Sequence, residues 1–271
     1  MNDATAHPAP LCRRFDRVGR LVGDDGMRML ARAHVMIVGI GGVGSWAAEA
    51  LARSGVGTLT LVDFDPVCIT NFNRQIHAVE GTVGTPKTEV MAQRLRAINP
   101  EIVVHTLPVF YSAECADEVF TRRPDHVIDA IDSVGAKCHL LHYCVSRGIP
   151  VVSSYGSGGR MDPTRIEVCD LSVTQHDRLA QAVRKVLRKQ HGFPAAGKGL
   201  FGIPAVHSTE PMTMPLALEY DEGKGFRCVC KSRIEVFNCE SRNVIMGTIC
   251  HVTGAFGFAC ASVAVRGLLA D

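Results

Sequence analysis

HVMIVGIGGVGSWAAEALARSGVGTLTLVD, residues 34–63, is the stretch whose reading decides the fold. HVMIVG (34–39) is an apolar run ending in glycine, the pattern of a buried strand. From Gly44 to Ser54 the residues suit a helix with Trp46, Ala50 and Leu51 on one face, and TLTLVD (58–63) reads as a second strand. Between the first strand and the helix, Gly39, Gly41 and Gly44 form G-x-G-x-x-G, with Gly42 as a fourth glycine. Glycine permits the tight turn and lets backbone amides and a helix N-terminus meet a phosphate without a Cβ in the way. Asp63 ends the second strand, where a carboxylate can bind ribose hydroxyls. The unit predicts a nucleotide site; the alternative is a tight structural turn.

The pattern continues outward on both sides. Thr85 is expected to cap the next helix with Pro86 in its first turn, after which Val90, Met91, Leu95 and Ile98 recur at helical spacing. EIVVHTL (101–107), a helix from Ser112, HVIDAID (126–132), a helix to Gly148 and PVVSS (150–154) extend the alternation. The fold class expected is α/β: a doubly wound, Rossmann-like, mainly parallel sheet, with an antiparallel extension and a C-terminal helical segment. The extension starts in GSGGRMDPTRIEVCDL (156–171), a turn and an edge strand leading to a helix that Asp177 can cap. On that helix Leu179, Val183, Val186 and Leu187 make an apolar stripe with Arg184, Lys185, Arg188 and Lys189 outward. The Gly- and Pro-rich stretch 192–215 is expected to be a mobile loop.

Composition excludes several classes. The 271 residues are 46% apolar, enough for an ample core, and 29 Lys and Arg against 27 Asp and Glu leave a net charge of only +2. Charge alone therefore announces no nucleic-acid partner, and any basic surface must be local. One local excess exists: from Arg178 through Lys198 there are six basic residues, Arg178, Arg184, Lys185, Arg188, Lys189 and Lys198, and no acidic one. Eleven cysteines, an odd number without a C-x-x-C pair, follow a polar, arginine-bearing start, which fits a reducing cytoplasm and argues against a four-cysteine zinc site. MGTICHVTGAFGFACASVAV (246–265) just reaches bilayer length. Gly254, Gly257, Ala261 and Ser262 suit close helix contact, so a core or dimer-interface helix is expected, with membrane association the open alternative.

After the ribose acid, Asn71, Asn73, Arg74 and Gln75 crowd into five positions. Hydride transfer has no need of such a clamp, whereas a triphosphate does: Arg74 offers a planar fork to phosphate oxygens, and the amides can orient phosphate or a carboxylate substrate. Lys87 falls in the first turn of its helix, where a positive charge opposes the helix dipole unless an anion binds or the side chain bends into water. Asp129 and Asp132 lie at the carboxyl end of the fourth strand. Asp132, farther out and followed by Ser133 as a possible cap, can hold a magnesium ion bridging phosphates; Asp129 can instead be a buried structural acid.

GIGGVG (39–44), DFD (63–65), NFNRQ (71–75), VGTPK (83–87) and DAIDS (129–133), in that order, resemble the ubiquitin-activating-enzyme-like adenylating superfamily, which includes the activators of molybdopterin and thiamine sulfur carriers. The resemblance implies that Gly41, Asp63, Asn71, Arg74, Lys87 and Asp132 bind ATP and Mg2+, with Gly39, Gly42, Gly44, Asp65, Asn73, Gln75 and Ser133 completing the motifs, and that a carboxylate is adenylated with release of pyrophosphate. Arg74, Lys87 and Asp132 are the catalytic candidates. Residues 42–55, 71–78, 156–189 and HSTEP (207–211) look like the branch that dehydrates threonylcarbamoyladenosine 37 of tRNA to a cyclic product. The whole chain then reads as one adenylating domain, with a nucleotide-binding core at about 30–155 and a substrate- and dimer-supporting portion at about 156–271.

The same resemblance gives the basic helix a role in binding tRNA, the other reading being a solvated face. It also predicts a homodimer in which Arg20 reaches the partner's ATP site, unless it simply faces solvent. A cysteine desulfurase or sulfur-acceptor partner is possible in this superfamily. Cys228, in GFRCVC beside Cys230, is similar to a cysteine-bearing segment of the branch, or is an ordinary thiol. Three other readings compete: an activator of a sulfur-carrier C-terminus, a nicotinamide-dependent oxidoreductase, and a non-catalytic nucleotide-gated RNA-binding scaffold.

Overall fold

In the computed structural model, which describes residues 13–218 and 246–270, the first apolar run forms β1 (His34–Val38) between β2 (Thr58–Val62) and β4 (His126–Asp129), parallel to both. With helices over both faces of the sheet a central parallel strand has no wet face, which is why it shows no polar alternation. Its side chains nevertheless alternate between two cores. Val35 and Ile37 join the cluster under α2 (Gly44–Arg53), α3 (Lys87–Ile98) and α7 (Cys250–Leu268), while Met36 and Val38 join the one under α5 (Val134–Ser146) and α6 (Arg178–Gln190).

Among the described residues seven strands run β3-β2-β1-β4-β5-β7-β6, with β3 at Val103–Leu107, β5 at Val151–Ser154, β6 at Ile166–Asp170 and β7 at Pro204–Ser208. Every neighbouring pair is parallel except β6 with β7, the expected antiparallel extension. The chain moves from β1 out to β3 and then returns to β4 on the other side of β1. This reversal puts the ligand crevice of an open α/β sheet outside the carboxyl ends of β1 and β4.

Four local expectations need correction. The helix expected from Ser112 is only α4 (Ala116–Val119): Ser112 N–H is turned onto Cys115 Sγ, and Pro124 disfavours helix soon after. Pro86 is the N-cap of α3, not a first-turn residue, and Thr85 does not cap it; the Thr85 carbonyl accepts the Val67 N–H at 2.8 Å. The 192–215 stretch is not simply a loop, because β7 passes through it and pairs on both sides, with all but its first residue buried. Glycine and proline content signalled the turns around β7 and masked the strand.

The C-terminal apolar segment is a core helix. Val252, Phe256, Cys260 and Ala264, four residues apart, are all fully enclosed, a stripe that suits packing on the sheet and α2. A methyl group on Gly257 would lie 2.5 Å from the Val43 carbonyl oxygen and 2.8 Å from Trp46 Cβ, so glycine sets how closely α7 and α2 approach. Ala261 is buried as expected, but Ser262 is exposed. Among the described residues no helix is long and apolar enough to cross a membrane. α1 (Asp16–Arg32) precedes the sheet and is broken at Gly23, whose φ is +72°.

Candidate nucleotide site

The glycine turn is built by contacts that leave no room for side chains at two of its positions. Gly39 has φ +95°, and a Cβ there would lie 2.7 Å from the Ala130 carbonyl oxygen; a Cβ on Gly44 would lie 1.8 Å from the Gly39 carbonyl oxygen. Gly41 is different: a Cβ there would meet no atom within 4 Å. Gly39 and Gly44 thus make the turn, and Gly41 keeps its outer side bare. That is the division of labour a phosphate-cradling turn requires.

Asp63 closes the turn onto β2. Its Oδ2 accepts the Ile40 N–H at 2.6 Å and its Oδ1 accepts the Asp65 N–H at 2.9 Å. Burial pushes its carboxyl pKa up from the ordinary range, and the Lys87 charge works in the opposite direction. Lys87 Nζ is 2.7 Å from Asp65 Oδ2 and 3.9 Å from Asp63 Oδ1, while its backbone N–H donates to the Asp65 carbonyl at 3.0 Å. The side chain is only 7% exposed, so it does not bend into water. Its opposition to the α3 dipole is offset by two protein carboxylates and does not require an incoming anion.

Arg74 reaches the turn from the other side. Its stem packs over Gly42, with Cγ and Cδ 3.2 and 3.3 Å from where a Cβ would stand. Its carbonyl accepts the Trp46 indole N–H at 2.9 Å, which fixes the NFNRQ segment to α2. The guanidinium donates to the Thr70 carbonyl at 2.7 Å and to Asn73 Oδ1 at 2.9 Å. The amides are more structural than the sequence implied. Asn71 is buried, with Oδ1 accepting the Cys68 N–H, and Asn73 Nδ2 donates to the Thr248 carbonyl ahead of α7. Gln75 is buried, and its Oε1 has no hydrogen-bond partner.

At the end of β4, Asp129 is the buried structural acid: Ser153 Oγ donates to its Oδ2 at 2.6 Å, and the Lys137 ammonium lies 2.8 Å from the same oxygen. Asp132 is exposed, three residues farther along the turn whose Ala130 abuts Gly39. Ser133 occupies the N-cap of α5 without a side-chain capping bond. Among the described residues no group of three His, Cys, Asp or Glu gathers to hold a metal. A single exposed carboxylate still suits Mg2+, a hard cation that keeps several waters and takes its remaining ligands from phosphates.

The basic helix is only partly an open face. Arg178, Lys185, Lys189 and Lys198 are exposed, but Arg184 and Arg188 are half-buried and do not lie outward. Arg184 donates to Thr174 Oγ1; Arg188 donates to the Pro194 carbonyl at 3.1 Å and sits 5.2 Å over the Phe201 ring. Asp177 caps α6 through the Ala180 N–H, as expected. A cavity of about 430 Å³ opens at this helix start, lined by Gln175, His176, Arg178, Gln181 and Arg184 among others. Arg20 is exposed on α1 and pairs with its own helix's Asp16 at 3.0 Å. Cys228 and Cys230 lie outside the described residues.

Sequence reasoning missed Lys137. It is fully buried in the first turns of α5, and the only cue was a lysine set between Ala136 and Cys138 on a helix with no other Lys, Arg, Asp or Glu.

A glycine turn at the switch point, an acid closing it, and a lysine and an arginine flanking it define a nucleotide-binding α/β protein. The ThiF family model matches residues 15–270, and the chain belongs to that family. It is 44% identical to the tRNA threonylcarbamoyladenosine dehydratase of Haemophilus influenzae, over 95% of this chain and 94% of that one. The crystal structure of the Escherichia coli tRNA N6-threonylcarbamoyladenosine dehydratase in complex with ATP superposes with a TM-score of 0.81 at 40% identity, covering 95% of this chain and 94% of that one. A second crystal structure of that E. coli protein, in complex with AMP, matches with the same TM-score at 41% identity. The resemblance read from five motifs thus extends along nearly the whole chain.

Proposed function

We propose that the chain uses ATP to dehydrate N6-threonylcarbamoyladenosine at position 37 of tRNA. An oxygen of the threonyl carboxylate attacks the α-phosphorus, the bond to the β-phosphate breaks, and pyrophosphate leaves. The acyl adenylate then closes on its own carbamoyl group and expels AMP, so the product is cyclic and one water lighter. Because closure is intramolecular, positioning supplies most of the advantage and no protein nucleophile is required.

The observation that carries the reading is the enclosed Lys87, held by Asp65 and by the same Asp63 that accepts the Ile40 N–H of the glycine turn. Fixed there, its ammonium and the Arg74 guanidinium are charges that need no reorganisation as negative charge builds on the phosphates. Asp132 would hold a Mg2+ ion, which when bound neutralises phosphate charge. The exposed Arg178, Lys185, Lys189 and Lys198 would contact the tRNA backbone, and Arg20 would complete the ATP site of a second copy in a cytoplasmic homodimer.

The test is direct: incubate the purified protein with ATP, Mg2+ and threonylcarbamoylated tRNA, digest, and weigh the nucleosides. A nucleoside lighter by one water is expected. Pyrophosphate release driven by a sulfur-carrier C-terminus and not by tRNA would assign the chain to the other activity instead.

A further inference from the structure

The turn that carries Asp132 is gripped by a buried ion pair. Lys137 and Asp129 are both fully enclosed, and their Nζ and Oδ2 are 2.8 Å apart. The same Nζ donates to the Ile131 carbonyl at 3.0 Å, while Asp129 Oδ1 accepts the Ile131 N–H at 3.1 Å. Ser153 Oγ steadies Asp129 from β5, and the Tyr155 ring lies 4.9 Å from Nζ. The amide and the carbonyl of the residue preceding Asp132 are therefore held by opposite members of one ion pair.

Stability is a weak explanation for this arrangement. A buried ion pair repays its desolvation poorly, and an apolar pair of similar volume often serves as well or better. What an apolar pair cannot do is hold a carbonyl and an amide of the same residue in fixed directions. We propose that Lys137 and Asp129 are positioning residues: through Ile131 they fix the direction in which Asp132 presents its carboxylate to the phosphates of ATP. This rests on the assignment of Asp132 proposed above.

Lys137→Met alone would strand the Asp129 charge in the core, so the informative protein is the full chain carrying Lys137→Met with Asp129→Asn, with folding checked by its melting curve. Its kcat for tRNA-dependent pyrophosphate release is expected to fall on the order of tenfold to a hundredfold, the scale set by misplacing a catalytic group. Its affinity for ATP measured without metal should stay within about twofold, since the glycine turn and Asp63 are untouched.

A double-mutant cycle with Asp132→Asn supplies the readout a merely structural role would not move. If the pair acts through Asp132, adding its removal to Asp132→Asn causes no further loss. Ser153→Ala, which removes one support of Asp129, serves in the same cycle if the charge-free pair does not fold, and a smaller loss that again disappears in the Asp132→Asn background is expected. Wild-type kcat in a folded charge-free pair, or losses that multiply with that of Asp132→Asn, overturns the positioning role while leaving the Asp132 assignment intact. Wild-type kcat in Asp132→Asn itself overturns both.

Discussion

Lys87 Nζ stands 2.7 Å from Asp65 Oδ2 and 3.9 Å from Asp63 Oδ1, so one ammonium is shared by two carboxylates at the mouth of the glycine turn. Lys87→Ala removes that charge and leaves two acids facing each other. The expected outcome is a fall in kcat of about 100- to 1,000-fold, the usual cost of losing one preorganised donor to developing charge. Asp65→Asn keeps an oxygen toward Lys87 and should lose less. Pyrophosphate release by both variants, beside their melting temperatures, checks this order; equal losses would mean that the lysine acts only by holding the acids together.

The glycines separate into two kinds. Gly44→Ala puts a methyl carbon 1.8 Å from the Gly39 carbonyl oxygen and is expected to abolish folding or lower the melting point steeply. Gly41→Ala meets nothing within 4 Å, so the fold should survive. Its ATP affinity should nevertheless fall, because the methyl occupies the side offered to phosphate. Calorimetric titration of ATP into Gly41→Ala decides the point: undiminished affinity would remove the turn from the phosphate site.

Charge on α6 must be tested at the right residues. Lys185→Glu and Lys189→Glu alter exposed positions and should weaken tRNA binding while sparing ATP binding and the melting point. The slope of log affinity against log salt should become shallower by about 0.7–0.9 for each RNA phosphate that the protein no longer neutralises. Arg184 and Arg188 are poorer choices, since reversing either also breaks a hydrogen bond to Thr174 or Pro194. A salt slope unchanged in the lysine variants would leave α6 a solvated face.

Two buried histidines predict an acid limb in stability. Burial pushes the His77 pKa down to about 3, with Lys87 and Arg94 adding to the effect, and burial pushes that of His126 down to about 4. In the unfolded chain both take up protons near their ordinary value of 6.5. Between these limits the unfolded state binds more protons, so stability is full above pH 6.5 and lost as pH falls, by up to about 1.4 kcal/mol per pH unit for each histidine. Neither nitrogen of His77 has a hydrogen-bond partner, so His77→Leu should flatten this limb without leaving a polar group stranded. Urea melts from pH 7 to 5 would show it; an unaltered slope would mean that His77 opens to water before the chain unfolds.

Much of the site was legible in the chain because it obeys local rules. A glycine before a helix, a carboxylate at a strand end and a proline ahead of a lysine each have a short-range physical cause. What a helical wheel or a residue type does not record is a partner outside the local pattern. Arg184 and Arg188 alternate outward on a helical wheel, yet Thr174, Pro194 and Phe201, brought close by the chain around α6, draw them in. Asn71 and Asn73 have the chemistry of ligands, but Asn71 closes its own turn onto Cys68 and Asn73 ties its segment to Thr248, 175 positions away.

By itself the sequence determined most of the strands and helices through β5, the glycine turn and the chemical character of the pocket, since apolar period and turn residues act over a few positions. Tertiary structure alone decided that β7 threads a glycine-rich stretch, that α7 is core, that Lys87 is balanced by two acids, and that Lys137 is enclosed with Asp129 beneath Asp132. Burial and pairing are properties of space shared by residues far apart along the chain. No pattern of neighbours records them.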